Sequence, residues 1–169
     1  IGQVVLCSSK DLKEWKFETV LAANSTGKVG TMWECPDFFP LGDKHVLICS
    51  PQNMKAEKYE FHNGNNSVYF LGNYDKNSHI FEKEEPHTID YGLDFYAPQT
   101  TLLPDGRRVM IAWMKSWDAC VVPDTQDWQG MMTLPRELEV KDGQIWQQPV
   151  REIAQYHKNP VSYTHLRAH

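Results

Sequence analysis

The stretch DFFPLGDKHVLIC at residues 37–49 has a second copy, DFYAPQTTLLPDGRRVMIAW, at residues 94–113. Each copy begins with Asp-Phe and an aromatic residue, continues through a nearby proline and a polar turn that contains glycine, and ends in an apolar strand. A period of about 40 to 60 residues, with several strands in each unit, is typical of a β-propeller, in which every unit forms one blade. Chance similarity between two hairpins is the alternative interpretation, because the repeat has only two copies.

The repeat also predicts where a site would lie. In a propeller, Asp37 and Asp94 would occupy equivalent positions near the start of a strand, and the residues just before Asp37 would lie at the same level. Inner strands of a propeller converge on a central channel, so side chains at that level can meet around one pocket. The segment just before Asp37 is therefore the first place to search for chemistry.

Outside the repeat, the apolar stretches are short, β-branched or aromatic, and bounded by turn residues, which favours strands over helices. Two Asp-Gly pairs, Asp105-Gly106 and Asp142-Gly143, predict hairpin turns. The one helical candidate, Val150–Tyr156, is short. The sequence thus predicts a mostly antiparallel all-β chain. The predicted strands are Val4–Cys7, His45–Cys49, Val68–Leu71, Arg108–Met114, Met132–Val140 and Gln144–Gln148.

The composition is that of an ordinary globular protein. The 169 residues contain 17 Lys+Arg and 22 Asp+Glu, a formal net charge of −5, and 41% of them are hydrophobic. This acidic balance argues against nucleic-acid binding, which needs a clustered cationic surface. No apolar run approaches the ~18 residues of a membrane helix, and no signal peptide is recognisable. The length predicts about one domain, and because the first residue is Ile1 we expect an upstream piece to be missing.

The four cysteines and seven histidines form no recognisable metal or redox motif. No cysteine pair has the C-x-x-C spacing, and no H-E-x-x-H is present. His165 and His169 have i, i+4 spacing, but the tail that contains them gives no clear helical pattern. We therefore predict no metal site, and reduced cysteines in a cytoplasmic protein. The cysteines are Cys7, Cys35, Cys49 and Cys120.

The densest chemical candidate is MWECPDFFP at residues 32–40. Here Glu34 is flanked by Trp33 and Cys35, and Pro36 disfavours a helix by pushing Cys35 toward extended backbone. A carboxyl group beside an indole and a thiol is expected to be partly withdrawn from water, which suits it to donate a proton near neutral pH. Glu34 is therefore the candidate general acid, and an ordinary strand-edge glutamate is the alternative.

Residues 33–40 resemble the acid/base motif of glycoside hydrolase family 32, which contains the invertases, levanases and sucrose-6-phosphate hydrolases. Further segments resemble the family in the same order, so that the resemblance covers residues 1 to about 155. Its details are most similar to bacterial sucrose-6-phosphate hydrolases or β-fructofuranosidases. The further segments are Ser9–Trp15, Asp94–Thr100, Gly106–Met114, Leu134–Leu138 and Gln148–Glu152.

The resemblance implies a five-bladed propeller with a central funnel, followed in full-length members by a β-sandwich. On this basis residues 1–148 would form the later blades only, giving a partial five-bladed β-propeller, and residues 149–160 would begin a linker toward the absent sandwich. Residues 161–169 resemble translated adapter sequence, so we exclude this tail from fold reasoning as non-native. A genuine, divergent linker is the alternative for the tail.

The resemblance also implies cleavage of the bond to a terminal β-D-fructofuranosyl unit with retention, which needs two carboxyl groups about 5–5.5 Å apart. Glu34 matches the acid/base. The family nucleophile lies in an Asn-Asp-Pro-Asn motif and the transition-state stabiliser in an Arg-Asp-Pro motif, and neither motif occurs in the 169 residues. Both are expected upstream of Ile1, so the isolated chain is predicted to be inactive.

Four further residues are predicted to bind the substrate. Cys35 would sit beside the acid, with a buried apolar thiol as the alternative. Asp37 would hydrogen-bond sugar hydroxyls or, alternatively, accept from a strand-end backbone amide. Tyr96 and Trp113 match aromatic positions of the family pocket, where rings pack on the C–H face of a sugar; core packing is the alternative for both.

The predicted partner is a small-molecule saccharide: sucrose, sucrose 6-phosphate or a fructan. No cofactor is implied, because two carboxylates suffice for glycosidic cleavage. The sequence does not separate hydrolysis from fructosyl transfer, and it leaves phosphate recognition and the oligomeric state open. The alternatives from other classes are a non-catalytic carbohydrate-binding or structural propeller and an unrelated all-β interaction domain.

Overall fold

A computed structural model describes residues 1–118 and 125–158 of the chain. Cys120 and the tail at residues 161–169 lie outside the described residues. Eleven strands and one 3₁₀ helix make up the regular structure of the described part. They are β1 (Gln3–Ser8), β2 (Lys16–Ala23), β3 (Trp33–Leu41), β4 (Lys44–Pro51), β5 (Val68–Asp75), β6 (Ile80–Lys83), β7 (His87–Thr88), β8 (Tyr96–Leu102), β9 (Arg108–Trp113), β10 (Arg136–Lys141), β11 (Gln144–Pro149) and the 3₁₀ helix Arg151–Tyr156.

The strands form three antiparallel units in chain order. β1 and β2 make a two-stranded hairpin; β3, β4, β5 and β6 make a first sheet, with β7 added against β5; and β8, β9, β10 and β11 make a second sheet. Each sheet is a meander, in which strands that follow one another in the chain are neighbours. The predicted all-β class is confirmed, and the three units do not close into a ring within residues 1–118 and 125–158.

The predicted strands are confirmed except at one boundary. The segment predicted at Met132–Val140 becomes a strand only at Arg136; Met132 makes an isolated bridge to Trp113. The strand Trp33–Leu41 was not predicted, because Pro36 and Pro40, at its fourth and second-last positions, argue against a strand. The strands β2, β6, β7 and β8 were not predicted either. Both Asp-Gly pairs lie in hairpin turns, and the one at Asp142-Gly143 has positive φ at both residues, as a type I′ turn requires.

The internal repeat is real, but its register differs from the one expected. β3 and β8 each begin a sheet, and each carries a bulge, between Glu34 and Asp37 in one and between Tyr96 and Gln99 in the other. Glu34 is therefore the counterpart of Tyr96. The expected equivalence of Asp37 and Asp94 is wrong, because Asp37 lies inside β3, opposite Ile48 of β4, whereas Asp94 precedes β8. The two Asp-Phe pairs are alike in sequence, but the position of the bulge in each strand determines which residues of β3 and β8 are equivalent.

Two apolar clusters join the three units. One lies between the hairpin and the first sheet and includes Trp33, Leu47 and Phe70. The other lies between the first and second sheets and includes Ile48 and Met110. The strand β4 supplies alternate residues to both clusters, so both of its faces are buried. This explains why its sequence is continuously apolar rather than alternating.

Candidate active site

Glu34 lies where β3 begins, partly buried, and its carboxylate accepts a hydrogen bond from the Tyr96 hydroxyl at 2.8 Å. Tyr96 is the first residue of β8, so the pair links the entry points of the two sheets. The sequence places these residues 62 positions apart, and only the stacking of the sheets brings them together. This hydrogen bond holds one carboxylate oxygen of Glu34 and leaves the second oxygen available to accept or deliver a proton.

The Tyr96 side chain is buried, and its hydroxyl donates a hydrogen bond to Glu34. Its side chain is among the largest that are fully buried, at 2% exposure, and its hydroxyl also lies 3.3 Å from the carbonyl oxygen of Ser50. Burial, and next the hydrogen bond to Glu34, raise the pKa of the phenol well above its ordinary value. This burial favours the alternative interpretation of the ring as a packed one, and the predicted contact of Tyr96 with a sugar stays a prediction.

The sequence neighbours of Glu34 do not share its environment. The Trp33 ring packs 5.4 Å from Phe70, and its indole nitrogen donates to the Val29 carbonyl at 2.7 Å. Trp33 therefore belongs to the core between the hairpin and the first sheet. The indole thus does not shield Glu34 as its neighbouring position in the sequence predicts; the side chain that hydrogen-bonds the Glu34 carboxylate is Tyr96.

Cys35 is exposed and has a φ of 48°, in the left-handed region that a non-glycine residue rarely occupies. The alternative interpretation of Cys35 as a buried thiol is therefore wrong. Partial withdrawal from water, and next the charge of Glu34, raise the pKa of this thiol. The thiol is thus protonated and uncharged beside the carboxylate at neutral pH.

Asp37 is engaged with the neighbouring sheet. One of its carboxylate oxygens accepts from the backbone amide of Thr100, in β8, at 2.7 Å. Of the two predicted roles, the structure shows acceptance from a backbone amide, although that amide lies inside a strand rather than at its end. The predicted contact of Asp37 with a sugar stays a prediction.

Trp113 ends β9 directly opposite Tyr96. Residues that face each other in an antiparallel pair project to the same side of the sheet, so Trp113 lies beside the Glu34–Tyr96 pair. It is partly buried, belongs to neither core cluster, and meets Trp117 edge-on at 5.4 Å. This placement leaves part of the ring available to a ligand.

Two residues that the sequence argument missed support the site. The Ser50 hydroxyl is completely buried, accepts from the Ala97 amide at 3.1 Å and lies 3.2 Å from the Ser67 hydroxyl. The Gln99 side-chain amide donates to the Cys35 carbonyl at 3.0 Å. A polar serine directly after the apolar run of β4 is the one available signal for Ser50. Gln99 lies in the Asp94–Thr100 segment that resembles the family, but that segment does not reveal its contact with Cys35.

Within residues 1–118 and 125–158, no group of three or more His, Cys, Asp or Glu residues is placed to hold a metal ion.

A cavity of about 310 Å³ lies between the two sheets, lined in part by Tyr69, His87 and the ion pair Asp90–Arg136 at 2.6 Å. None of the residues predicted for the site lines this cavity. The Glu34–Tyr96 pair is therefore described as the candidate site, because it joins the predicted acid of the first sheet to a residue of the second. In the described ranges, no helix is long and apolar enough to cross a membrane.

Comparison with known proteins gives consistent matches over most of the chain. Residues 1–149 match the glycosyl hydrolases family 32 N-terminal domain. The chain is 42% identical to a raffinose invertase of Escherichia coli over 168 residues, 99% of this chain and 35% of that protein. It is also 42% identical to a sucrose-6-phosphate hydrolase of Escherichia coli, over 89% of this chain and 31% of that protein. The chain thus spans about a third of the length of these relatives.

Solved structures give the same picture. The family 32 β-fructofuranosidase of Bombyx mori superposes with a TM-score of 0.89 at 34% identity, over 95% of this chain and 34% of that one. A mutant of the same enzyme in complex with sucrose superposes with a TM-score of 0.87. The arrangement of the hairpin and the two sheets is therefore shared with solved proteins.

Proposed function

Because the chain belongs to glycosyl hydrolase family 32, we propose that it is part of a retaining glycosidase that releases terminal β-D-fructofuranosyl units. The proposed substrates are sucrose, sucrose 6-phosphate or fructans. The names of the relatives, an invertase and sucrose-6-phosphate hydrolases, support this choice of substrate. So does the sucrose bound by the mutant of the Bombyx mori enzyme.

The observation that carries the proposal is the Glu34 carboxyl group, partly buried and hydrogen-bonded through one oxygen to the Tyr96 phenol. The other oxygen is free to carry the proton that a general acid delivers. In the first step Glu34 would protonate the departing glycosidic oxygen. In the second step its carboxylate would take a proton from the water that resolves the fructosyl-enzyme.

The nucleophile is proposed to come from another part of the protein. Asp37, the carboxylate nearest to Glu34 in the sequence of β3, already accepts the Thr100 amide. We propose that the hairpin and the two sheets are the later blades of a five-bladed propeller, over residues 1–148, and that residues 149–160 begin a linker to a β-sandwich. The meander order of the sheets supports this arrangement.

Substrate contacts are proposed for Trp113 and Cys35, which flank the Glu34–Tyr96 pair. The partly exposed Trp113 ring would pack on the C–H face of a sugar. Cys35 would contribute an uncharged thiol next to the acid. No cofactor takes part in the proposed reaction, because each proton transfer and each bond change can be assigned to a carboxyl group or to water.

We also propose a cytoplasmic location. Cys7 and Cys35 are free and exposed, and exposed free thiols persist best in a reducing compartment.

The test uses the purified 169-residue chain and the complete protein that contains it. We expect the chain alone to release no fructose from sucrose and the complete protein to release it. Glu34→Gln in the complete protein should lower kcat on sucrose by about 10²–10⁴-fold. It should cost far less on fructosyl fluoride, because a fluoride leaving group needs little protonation.

The matched control is Glu139→Gln, an exposed carboxylate on β10, which should leave kcat unchanged. Fructose release by the chain alone would refute the external nucleophile. Equal losses on sucrose and fructosyl fluoride would refute the acid role of Glu34.

A further inference from the structure

The bulges that begin the two sheets are built alike. In β3, Cys35 has a φ of 48° and precedes Pro36; in β8, Ala97 has a φ of 50° and precedes Pro98. Non-glycine residues avoid positive φ, and a residue before proline prefers extended backbone. Such conformations persist only where surrounding contacts hold them, so each bulge needs external support.

The support is reciprocal. Asp37 and Gln99 are the residues that follow the two bulges, at equivalent positions of β3 and β8. The Asp37 carboxylate crosses to β8 and accepts the Thr100 amide at 2.7 Å. The Gln99 amide crosses in the opposite direction and donates to the Cys35 carbonyl at 3.0 Å. The β3 bulge is thus held at Cys35 by a side chain of the second sheet, and β8 is held just after its bulge, at Thr100, by a side chain of the first sheet.

We propose that Asp37 and Gln99 form a clasp that positions the acid/base group. Glu34 and Tyr96 stand immediately before the two bulges, so the backbone conformation at Cys35 and Ala97 sets where both side chains point. The two hydrogen bonds of the clasp join β3 to β8 next to both bulges. They thereby fix the 2.8 Å contact between the Tyr96 hydroxyl and the Glu34 carboxylate. Asp37 and Gln99 are positioning residues, and this inference rests on the proposed function of Glu34.

The competing role for Asp37 is the sugar contact predicted from the sequence. The two roles differ in their kinetic consequences. A residue that binds the sugar contributes to substrate affinity, whereas a residue that orients the acid contributes to the chemical step. They also differ for Gln99, because its amide is directed at a backbone carbonyl and has no part in the sugar-contact role.

The first arm of the test uses the 169-residue chain and needs no activity. Amide hydrogen exchange measured by NMR should show Thr100 protected in the wild type and exchanging at least about 10-fold faster in Asp37→Ala. Gln99→Ala should also increase the hydrogen-exchange rate of the Ala97 or the Thr100 amide. The control is Asp43→Ala, an exposed turn carboxylate, which should change neither amide. Unchanged protection of Thr100 in Asp37→Ala would overturn the clasp.

The second arm uses the complete protein and sucrose. Asp37→Leu, which removes the acceptor, and Gln99→Ala should each lower kcat about 10-fold, with KM changed by less than about twofold. The double variant should lose less than the product of the two single losses. A raised KM in Asp37→Leu with Gln99→Ala unaffected would overturn the inference in favour of the sugar contact. Asp37→Leu has a side chain of similar size, so it remains informative if Asp37→Ala fails to fold.

The two arms separate the possible failures. If the complete wild-type protein releases no fructose, the proposed function fails, while hydrogen exchange still decides whether the clasp exists. If the wild type is active and both variants keep the wild-type kcat, the clasp has no positioning role and the inference is overturned.

Discussion

At the residue scale, the hydrogen bond from Tyr96 holds one oxygen of the Glu34 carboxylate in place. The buried phenol, whose pKa is raised, stays protonated throughout the range in which enzymes work. It can therefore donate to the Glu34 carboxylate at every such pH, and it competes with protonation of the oxygen that it contacts. In the proposed reaction, the proton that Glu34 delivers would therefore be carried by the other oxygen.

Tyr96→Phe should retain the buried ring and remove only the hydroxyl. We expect the complete protein to lose about 10–150-fold in kcat on sucrose, the equivalent of about 1.5–3 kcal/mol for a hydrogen bond to a charged group, with little change in KM. Steady-state kinetics checks this, with the exposed Tyr59→Phe as control. A KM effect without a kcat effect would contradict the assignment of the Tyr96 hydroxyl to the acid.

A second residue, Glu137, carries a buried charge away from the site. Its carboxylate accepts from the Arg151 guanidinium at 2.8 Å and from the Arg107 guanidinium, also at 2.8 Å. Arg151, through its side chain and then its backbone amide, lowers the pKa of Glu137 to about 2, with Arg107 contributing in the same direction. This carboxylate ties the 3₁₀ helix to the second sheet, since Arg151 begins that helix.

Stability should consequently depend on pH through Glu137. Its pKa is lower in the folded chain than in the unfolded chain, so its contribution is fully present above about pH 4.5 and is lost as the pH falls toward 2. Glu137→Gln should lower the free energy of unfolding by about 1–3 kcal/mol at pH 7 and by less at pH 3. Urea unfolding at both pH values measures this.

The control for that measurement is Glu139→Gln, an exposed neighbour in β10, which should change stability by less than about 0.5 kcal/mol. An equal loss for Glu137→Gln at pH 7 and pH 3 would show that the carboxylate is not ionised in the way described.

At the element scale, strands β5 and β6 approach each other closely at Gly72. A Cβ atom added there would meet the backbone oxygen of Glu82 and lie 2.6 Å from a ring carbon of Phe81. The backbone of β6 has little freedom to move, because β6 is paired along its whole length with β5. A side chain at this position therefore forces the strands apart.

Gly72→Ala should destabilise the chain by about 1–3 kcal/mol, the usual cost of overpacking. Asn73→Ala, at the next and exposed position of β5, is the control and should stay within about 0.5 kcal/mol of the wild type. Thermal or urea unfolding distinguishes them. Equal stabilities of Gly72→Ala and the wild type would mean that β6 can shift without cost.

The same scale explains what sequence could and could not predict. The apolar run of β4 and the Asp-Gly turns are local signals, and they predicted a strand and two hairpins correctly. The register of the repeat depends on backbone bulges at Cys35 and Ala97, and a bulge leaves only a weak mark in the sequence. The Glu34–Tyr96 contact depends in turn on that register, so the resemblance identified both residues without showing that they touch.

At the scale of the whole molecule, the hairpin presents an apolar face with no described neighbour. Val5 and Val20, which pair across the hairpin, are 49% and 42% exposed, and Phe17 is 57% exposed. Exposed apolar residues that are contiguous mark surfaces that associate with other protein. In the proposed propeller, the preceding part of the protein would cover this face.

The isolated 169-residue chain should therefore self-associate as its concentration rises. Phe17→Thr should weaken the association, because it removes the largest ring from the face of the hairpin. Leu102→Thr, which changes a similarly exposed residue on β8 of the second sheet, should not. Sedimentation velocity provides the measurement. A strictly monomeric wild-type chain would contradict the role given to this face.

The burial of β4 on both faces has a further consequence for how the molecule comes apart. Leu47 of β4 belongs to one apolar cluster and Ile48 of β4 belongs to the other. Unfolding of either cluster therefore disturbs β4, on which the other cluster also depends. Local opening that spreads from the hairpin would thus be transmitted through β4 to the second sheet. We expect the two cores to behave as one cooperative folding unit, with a single transition shared by probes placed in either core.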